Sequence, residues 1–309
     1  MNFTPEERRK YIGGSDAAAV CGLDDYKSVI QCYLEKIGEL EPADLSDNEF
    51  VEWGKRLEDP IVKKFYEKRM AENEPVTYFP SDSYNVHPVY PWMISHIDRG
   101  GVDHKGIKFV LEVKTANEYV KKQWKDDVPM KYFIQGIHYM IVEDVEYVWL
   151  VVLIGGNKYK EYKILRSESA EWMDFVIQKE KDFWYCVENK IMPPVDCSKK
   201  KDMDILYPTS EPTQIVVNEE MESVLAERVE LKNKIKELED TLEDIDTKIK
   251  AYLQTNESGI GVGYKATYKT QYQERFDSAK FKKEQPELAS QYLKQISFRK
   301  FDVKQVGTL

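Results

Sequence analysis

Apolar and polar positions follow two different periods along this chain, and the points where the period changes divide it. Over residues 47–72, Phe50, Val51, Leu57, Ile61, Val62, Phe65 and Tyr66 fall largely on one side of a 3.6-residue repeat. That spacing predicts a helix, and it carries Glu52 and Glu58. Residues 1–40 predict helices interrupted at Gly13-Gly14-Ser15-Asp16. Ser15 is the expected N-cap of a helix through Ala17 to Val20 that Gly22 closes, and residues 26–37 predict another helix ending near Gly38. From 76 to 166 the period shortens. Val76–Phe79, Trp92–Ile97 and Lys108–Lys114 predict strands. In the last of these, Phe109, Leu111 and Val113 face one way, and Lys108, Val110, Glu112 and Lys114 the other. Residues 116–125 and 129–142 predict helices, Glu146–Ile154 an apolar strand, and Gly155-Gly156-Asn157 a hairpin turn into Tyr159–Leu165. An amphipathic helix is expected over 169–190.

Past residue 190 the pattern changes again. Pro193, Pro194, Pro208 and Pro212 mark a linker over 193–214. Val217, Met221, Val224, Arg228, Leu231, Ile235, Leu238, Leu242, Ile245, Ile249 and Tyr252 then step by four and three without a slip. This is a heptad stripe with Arg228 as its one charged member, and it predicts a long helix or coiled coil over 215–254. Residues 255–309 predict a small α+β unit: a strand face of Tyr264, Ala266, Tyr268, Thr270 and Tyr272, a helix over 277–295 broken near Pro286, and a strand over 297–304. The expected organisation is a body over 1–192, the linker, the helix and this tail.

Composition narrows the function classes. Forty-five Lys and Arg against 55 Asp and Glu give a net charge of −10, so general attraction cannot hold nucleic acid to this chain. DNA binding requires a local basic channel or a divalent cation between carboxylate and phosphate. The charge is uneven: −5 over 219–254 and +4 over 255–309. Four scattered cysteines (Cys21, Cys32, Cys186, Cys197) make no disulfide framework and read as reduced thiols. No run reaches the length of a membrane span, and MNFTPEERRKYIGGSD holds no apolar signal core, so a cytoplasmic protein is expected.

The candidate chemistry lies in His96-Ile97-Asp98-Arg99 and Leu111-Glu112-Val113-Lys114. Residues two apart on a strand share a face, so Glu112 and Lys114 project together. Asp98 on a neighbouring strand can meet Glu112. Two carboxylates, with the Val113 carbonyl between, make a hard-oxygen site suited to Mg²⁺ or Mn²⁺, and Lys114 stands beside it to balance charge. Asp103 is the competing acid. Asp98 is preferred because Gly100-Gly101 reads as the start of the turn that holds Asp103. Gln135, His138 and Tyr139 follow on a helix. His138 and Trp124 are expected to be structural, whereas Tyr139 is a candidate contact to the DNA backbone. The Tyr264/Tyr268/Tyr272 ladder reads as a half-buried ribbon first and a stacking platform second.

Five blocks in order carry a family resemblance: residues 9–18 (RKYIGGSDAA), 54–60 (GKRLEDP), 96–99 (HIDR), 111–115 (LEVKT) and 132–139 (YFIQGIHY). Together they resemble the YqaJ-type viral recombinases, in the lambda-exonuclease branch of the PD-(D/E)xK nuclease superfamily, over roughly residues 8–165. The tail, from Arg275-Phe276-Asp277-Ser278 to Phe298-Arg299-Lys300-Phe301, is also similar to phage members. The resemblance implies an α/β restriction-endonuclease-like core, a mixed central sheet flanked by helices, carrying the C-terminal helix and tail. It implies Mg²⁺-dependent 5′→3′ digestion of one strand of linear double-stranded DNA, with two ions, a homo-oligomeric ring such as a trimer, and a single-strand annealing protein as partner in the bacterial cytoplasm. Asp98, Glu112 and the Val113 carbonyl then resemble the metal ligands, Lys114 the catalytic lysine, Glu58 the acid near the second ion, and Gln135 the glutamine that positions water or phosphate. Ser15 with Arg8 or Arg9 resembles the 5′-phosphate pocket, and an Arg beside a Ser at a helix start suits an anion. Ile97 replaces the superfamily's proline. The rival readings are a single-strand or structure-specific endonuclease on the same fold, and a non-catalytic DNA-end-binding scaffold.

Overall fold

The fold follows a computed structural model, which describes residues 4–80, 84–196 and 199–304. The chain divides into two compact units, Met1–Leu206 and Tyr207–Leu309. In chain order the first holds α1 (Pro5–Arg8), β1 (Ile12–Gly13), α2 (Gly14–Val20), α3 (Val29–Ile37), α4 (Glu49–Ala71), β2 (Thr77–Pro80), β3 (Asn85–Val86), β4 (Met93–Ser95), β5 (Arg99–Val102) and β6 (Lys108–Ala116). A 3-10 helix (Glu118–Trp124), α5 (Met130–Val142), β7 (Tyr147–Ile154), β8 (Lys158–Leu165), a second 3-10 helix (Arg166–Glu168), α6 (Ala170–Asn189) and α7 (Lys200–Leu206) complete it. Five strands form a mixed sheet in the order β2-β5-β6-β7-β8, in which only β6 and β7 run parallel, joined through α5. A smaller sheet has the order β1-β4-β3.

The alternation read from β6 determines what covers the large sheet. Phe109, Leu111 and Val113 pack with Ile61, Val62 and Phe65 of α4 on one face. Val110 packs with Ile134, Ile137 and Met140 of α5 and Val176 of α6 on the other. Trp124, Phe65 and Phe109 are almost wholly enclosed, each contributing on the order of 2–3 kcal/mol of burial. Local signals place the helix ends. Ser28 caps α3 by accepting from Gln31 N, Asn48 caps α4, and Gly38 ends α3 with φ +82°, where a side chain would be strained. Cys21, Cys32 and Cys186 are free, and burial pushes the first two thiols up to about 12; Cys197 lies outside the described residues.

Several expectations are corrected. Ser15 is not the N-cap of α2: the helix begins at Gly14 behind Gly13, because Ile12-Gly13 is held in parallel pairing with Met93-Ile94. Trp92–Ile97 shortens to Met93–Ser95, and the helix expected over 116–125 is a 3-10 helix over Glu118–Trp124 capped by Asn117. Gly100-Gly101 is no turn but the middle of β5. Part of the expected linker folds as α7, whose Asp202 is buried and whose Ile205 and Leu206 pack with the α3 cluster.

The second unit holds α8 (Glu219–Leu253), a hairpin of β9 (Ser258–Gly261) and β10 (Tyr264–Thr267), α9 (Ser278–Glu284) and α10 (Pro286–Gln291). Asn218 caps α8. The tyrosine strand stops at Thr267, and the strand expected over 297–304 is absent. The cause is a lack of core: among the described hydrophobic residues of this unit only Leu253 and Ala289 are buried. Among the described residues no helix is long and apolar enough to cross a membrane.

Candidate active site

The antiparallel register of β5 and β6 pairs Arg99 with Leu111, which sets the preceding residue, Asp98, level with Glu112. Asp98 Oδ2 accepts from Val113 N at 2.7 Å. Glu112 is only 3% exposed. Its Oε1 accepts from Lys114 Nζ at 2.5 Å and from Gln135 Nε2 at 3.0 Å, while its Oε2 is buried with no hydrogen-bond partner. Burial and then the Asp98 carboxylate push Glu112 up to about 8, against the pull of Lys114. Burial opposes the charge on Lys114, yet Glu112 and Asp98 hold its pKa above the ordinary lysine value. With both carboxylates ionised, this corner would carry more negative charge than its one lysine balances.

Supporting residues fix the geometry. Gln135 Nε2 also donates to Tyr139 Oη at 3.1 Å, and Tyr139 Oη donates to His96 O at 3.0 Å. The hydroxyl expected to reach DNA is therefore used inside the protein, and Tyr139 is 4% exposed. A Cβ on Gly14 would come within 2.4 Å of the Tyr139 ring, so the α2–α5 approach needs glycine there. Glu58 on α4 is close enough to Asp98 that burial and then that charge raise its pKa, but Arg99 Nη1 holds its Oε1 at 2.5 Å. Asp103 is remote in function: it builds the β5–β6 turn, accepting from Lys105 N, Ile107 N and Tyr147 Oη. His138 is structural as expected, enclosed between Glu180 Oε1 at 2.7 Å and Ile94 O at 2.8 Å, and Trp124 is core.

A cleft of about 230 Å³ joins this corner to a second wall made by Arg8, Gly13, Gly14, Ser15 and Asp16. Asp98, Glu112, Gln135 and Tyr139 line its near side. Arg9 does not share in it; its Nη2 pairs with Glu41 at 2.6 Å. Asp16 sits in the 9–18 block with no role legible in the sequence, and nothing local marks Lys27 and Lys36 as its partners. Lys27 Nζ meets Asp16 Oδ1 at 2.9 Å, and Lys36 Nζ meets Oδ2 at 2.6 Å. Burial would raise Asp16, but Lys36 and Lys27 outweigh it and hold the acid far below the usual carboxylate range. His96, its ring tilted against Tyr84 with centroids 4.6 Å apart, completes the rim; no periodicity signals these contacts, which join distant elements.

Among the described residues no three His, Cys, Asp or Glu side chains form a ready metal cage. The Asp98–Glu112 pair nevertheless fits a small hard cation. One buried carboxylate oxygen has no partner, both groups are oxygen donors, and Mg²⁺ commonly takes only one or two carboxylates and keeps its waters. Glu58, turned to Arg99, is not arranged around a second ion.

Residues 5–146 match the YqaJ-like viral recombinase domain family. The chain is 30% identical over 317 residues to the "Uncharacterized protein YqaJ" of Bacillus subtilis (strain 168), an alignment covering 97% of this chain and 93% of that protein. Among solved structures it is similar to an alkaline exonuclease (LHK-Exo) from Laribacter hongkongensis, with TM-score 0.45 and 14% identity over 65% of this chain and 96% of the other. It is also similar to a phage-related exonuclease from Haemophilus somnus 129PT, with TM-score 0.42 and 10% identity over 59% and 96%.

Proposed function

For this chain, which belongs to the YqaJ-like viral recombinase family, we propose metal-dependent hydrolysis of one strand of linear double-stranded DNA from its 5′ end. The 3′-ended strand left behind is the substrate of a single-strand annealing protein, and a homo-oligomeric ring such as a trimer would keep the enzyme on its duplex. The observation that carries this reading is the buried, unpartnered Glu112 Oε2 beside Asp98, in a cleft that Arg8 and Ser15 also line.

Asp98, Glu112 and the Val113 carbonyl would hold Mg²⁺ or Mn²⁺. Such an ion supplies Lewis-acid polarisation of the phosphate and neutralises charge that develops on it. The chain's own groups do the rest. Gln135 fixes the Glu112 rotamer through Oε1 and is itself fixed by Tyr139. Lys114 gives one of its three N–H donors to Glu112 and keeps the others for a phosphate oxygen and the attacking water, which displaces the leaving oxygen in line. Arg8 and Ser15 hold the 5′-phosphate across the cleft, and Glu58 stays paired with Arg99. Local cations thus meet DNA on a chain whose net charge is −10.

The test is digestion of 5′-phosphorylated linear duplex in Mg²⁺, read with strand-specific end labels, against EDTA and Asp98→Ala controls. Release of the 5′ label with the 3′ strand spared is expected. Cutting of circular single-stranded DNA would instead assign an endonuclease, and binding to ends without cleavage would assign a scaffold.

A further inference from the structure

The long helix of the second unit leaves its heptad stripe open. From Met221 to Ile249, Arg228 aside, every stripe residue is between 42% and 70% exposed. Arg228 lies 4.9 Å from the Phe301 ring, and its Nη1 is buried with no hydrogen-bond partner. Charge along the helix falls in four blocks: −4 over 219–227, +3 over 228–236, −6 over 237–246 and +2 over 247–253.

These blocks say what covers the stripe. Laid parallel and in register on its own copy, each block faces itself, and two Arg228 side chains share one layer. Laid antiparallel about a point between Lys236 and Glu237, every block faces one of opposite sign. We propose that α8 pairs with α8 of a second copy in this antiparallel register, as a two-stranded coiled coil. Ile235 then faces the partner's Leu238, Leu231 the partner's Leu242, Val224 the partner's Ile249 and Met221 the partner's Tyr252. Arg228 faces the partner's Ile245 and reaches the neighbouring acid, the partner's Asp246. Glu227 meets the partner's Lys248, and Lys232 the partner's Glu239.

The centre of this register falls within one residue of the midpoint of Glu219–Leu253, so nearly all of the 35-residue helix overlaps. A different partner would have no reason to mirror the pattern about the helix's own centre, whereas a two-fold contact between identical chains requires it. The inference stands apart from the proposed hydrolysis and uses no residue of the cleft.

Photo-cross-linking of the full-length chain tests it. With Met221→benzoylphenylalanine in a mixture of light- and heavy-nitrogen chains, inter-chain cross-links to residues 248–254 are expected. Residue 221 and its own copy would stand about 46 Å apart along the axis. Inter-chain cross-links to residues 217–225 would overturn the antiparallel register, and cross-links only within one chain would overturn the second copy. Light scattering on Leu231→Asp/Leu238→Asp is expected to show the particle mass halved, with tryptophan-detected melting unchanged. An unchanged mass would also overturn the proposal.

Discussion

The two walls of the cleft each present an acid, Glu112 buried and Asp16 half-buried, and the acids are in opposite electrostatic states. Asp16 has two lysines on its two oxygens and is held far below the usual carboxylate range. Glu112 has one lysine on one oxygen, a second carboxylate beside it, and is pushed up to about 8. Burial raises both; what differs is the sign of the nearest excess charge. A carboxylate whose charge is matched by fixed cations is structural, and it holds Lys27 and Lys36 in place. A carboxylate with an open oxygen and too little neighbouring positive charge awaits a cation from outside. On the proposed function, the contrast puts the chemistry on the β5–β6 wall and positioning on the α2 wall.

The largest effect that would break this contrast is on turnover. Glu112→Ala or Lys114→Ala is expected to lower DNA hydrolysis by at least about 10³-fold, equivalent to roughly 4 kcal/mol, while the far-ultraviolet spectrum stays native. Near-normal rates in either variant would remove that wall from the chemistry. Asp16→Asn should act the other way round. It leaves two largely buried lysines short of an anion, although Lys27 keeps Glu35. A loss of roughly 2 kcal/mol in stability is expected, smaller than for a fully enclosed pair, and a melting temperature lower by about 4–8 °C. Hydrolysis should keep its metal dependence. All six tryptophans lie between Trp53 and Trp184, so their fluorescence follows the first unit alone. If Asp16→Asn left the melting temperature unchanged and abolished metal dependence, the two roles would be reversed.

How far each wall could be read in advance follows from how local its contacts are. Glu112 and Lys114 were legible because strand alternation is a two-residue property, and the structure keeps both faces as expected. The α8 stripe was legible for the same reason, at a heptad period. Asp98, preferred over Asp103, does lie beside Glu112, but the turn on which that preference rests is not there. Gly100-Gly101 reads as a turn, yet both glycines lie inside β5, where a Cβ would meet the Phe79 ring at 2.4 Å and the Phe109 ring at 2.3 Å. They answer side chains crossing over the backbone, which no local pattern displays. Lys27 and Lys36 meet Asp16 from a loop and a helix 11 and 20 residues away, and Arg9 turns to Glu41 instead of the cleft. Such choices depend on tertiary packing. The tail strand over 297–304 failed for want of a surface to pack on.

The pH dependence of stability sharpens the contrast most, because it gives the two acids opposite signs. Without metal, folded Glu112 keeps its proton to about pH 8, whereas unfolded Glu112 loses it near an ordinary carboxylate value of about 4.3. Between these limits the folded state binds more protons than the unfolded state, so stability falls as pH rises from about 5 to 8. One proton sets the steepest slope at about 1.4 kcal/mol per pH unit. His138 adds a slope of the same sign: burial opposes its charge, but Glu180 holds its pKa above the ordinary value, so its contribution is full below about pH 6.5 and is lost as pH passes the folded value. Urea melts of wild type in EDTA should therefore weaken toward pH 8, and Glu112→Gln should remove only its own share while leaving the His138 share. The variant should be more stable than wild type at pH 8, where Asp16→Asn is less stable. Mg²⁺ should recover the wild-type loss and do little for Glu112→Gln, since only the ionised folded carboxylate gains from a cation. Identical slopes for wild type and Glu112→Gln would mean that Glu112 is already balanced, as Asp16 is, and would leave the β5–β6 wall with no unmet charge to recruit an ion.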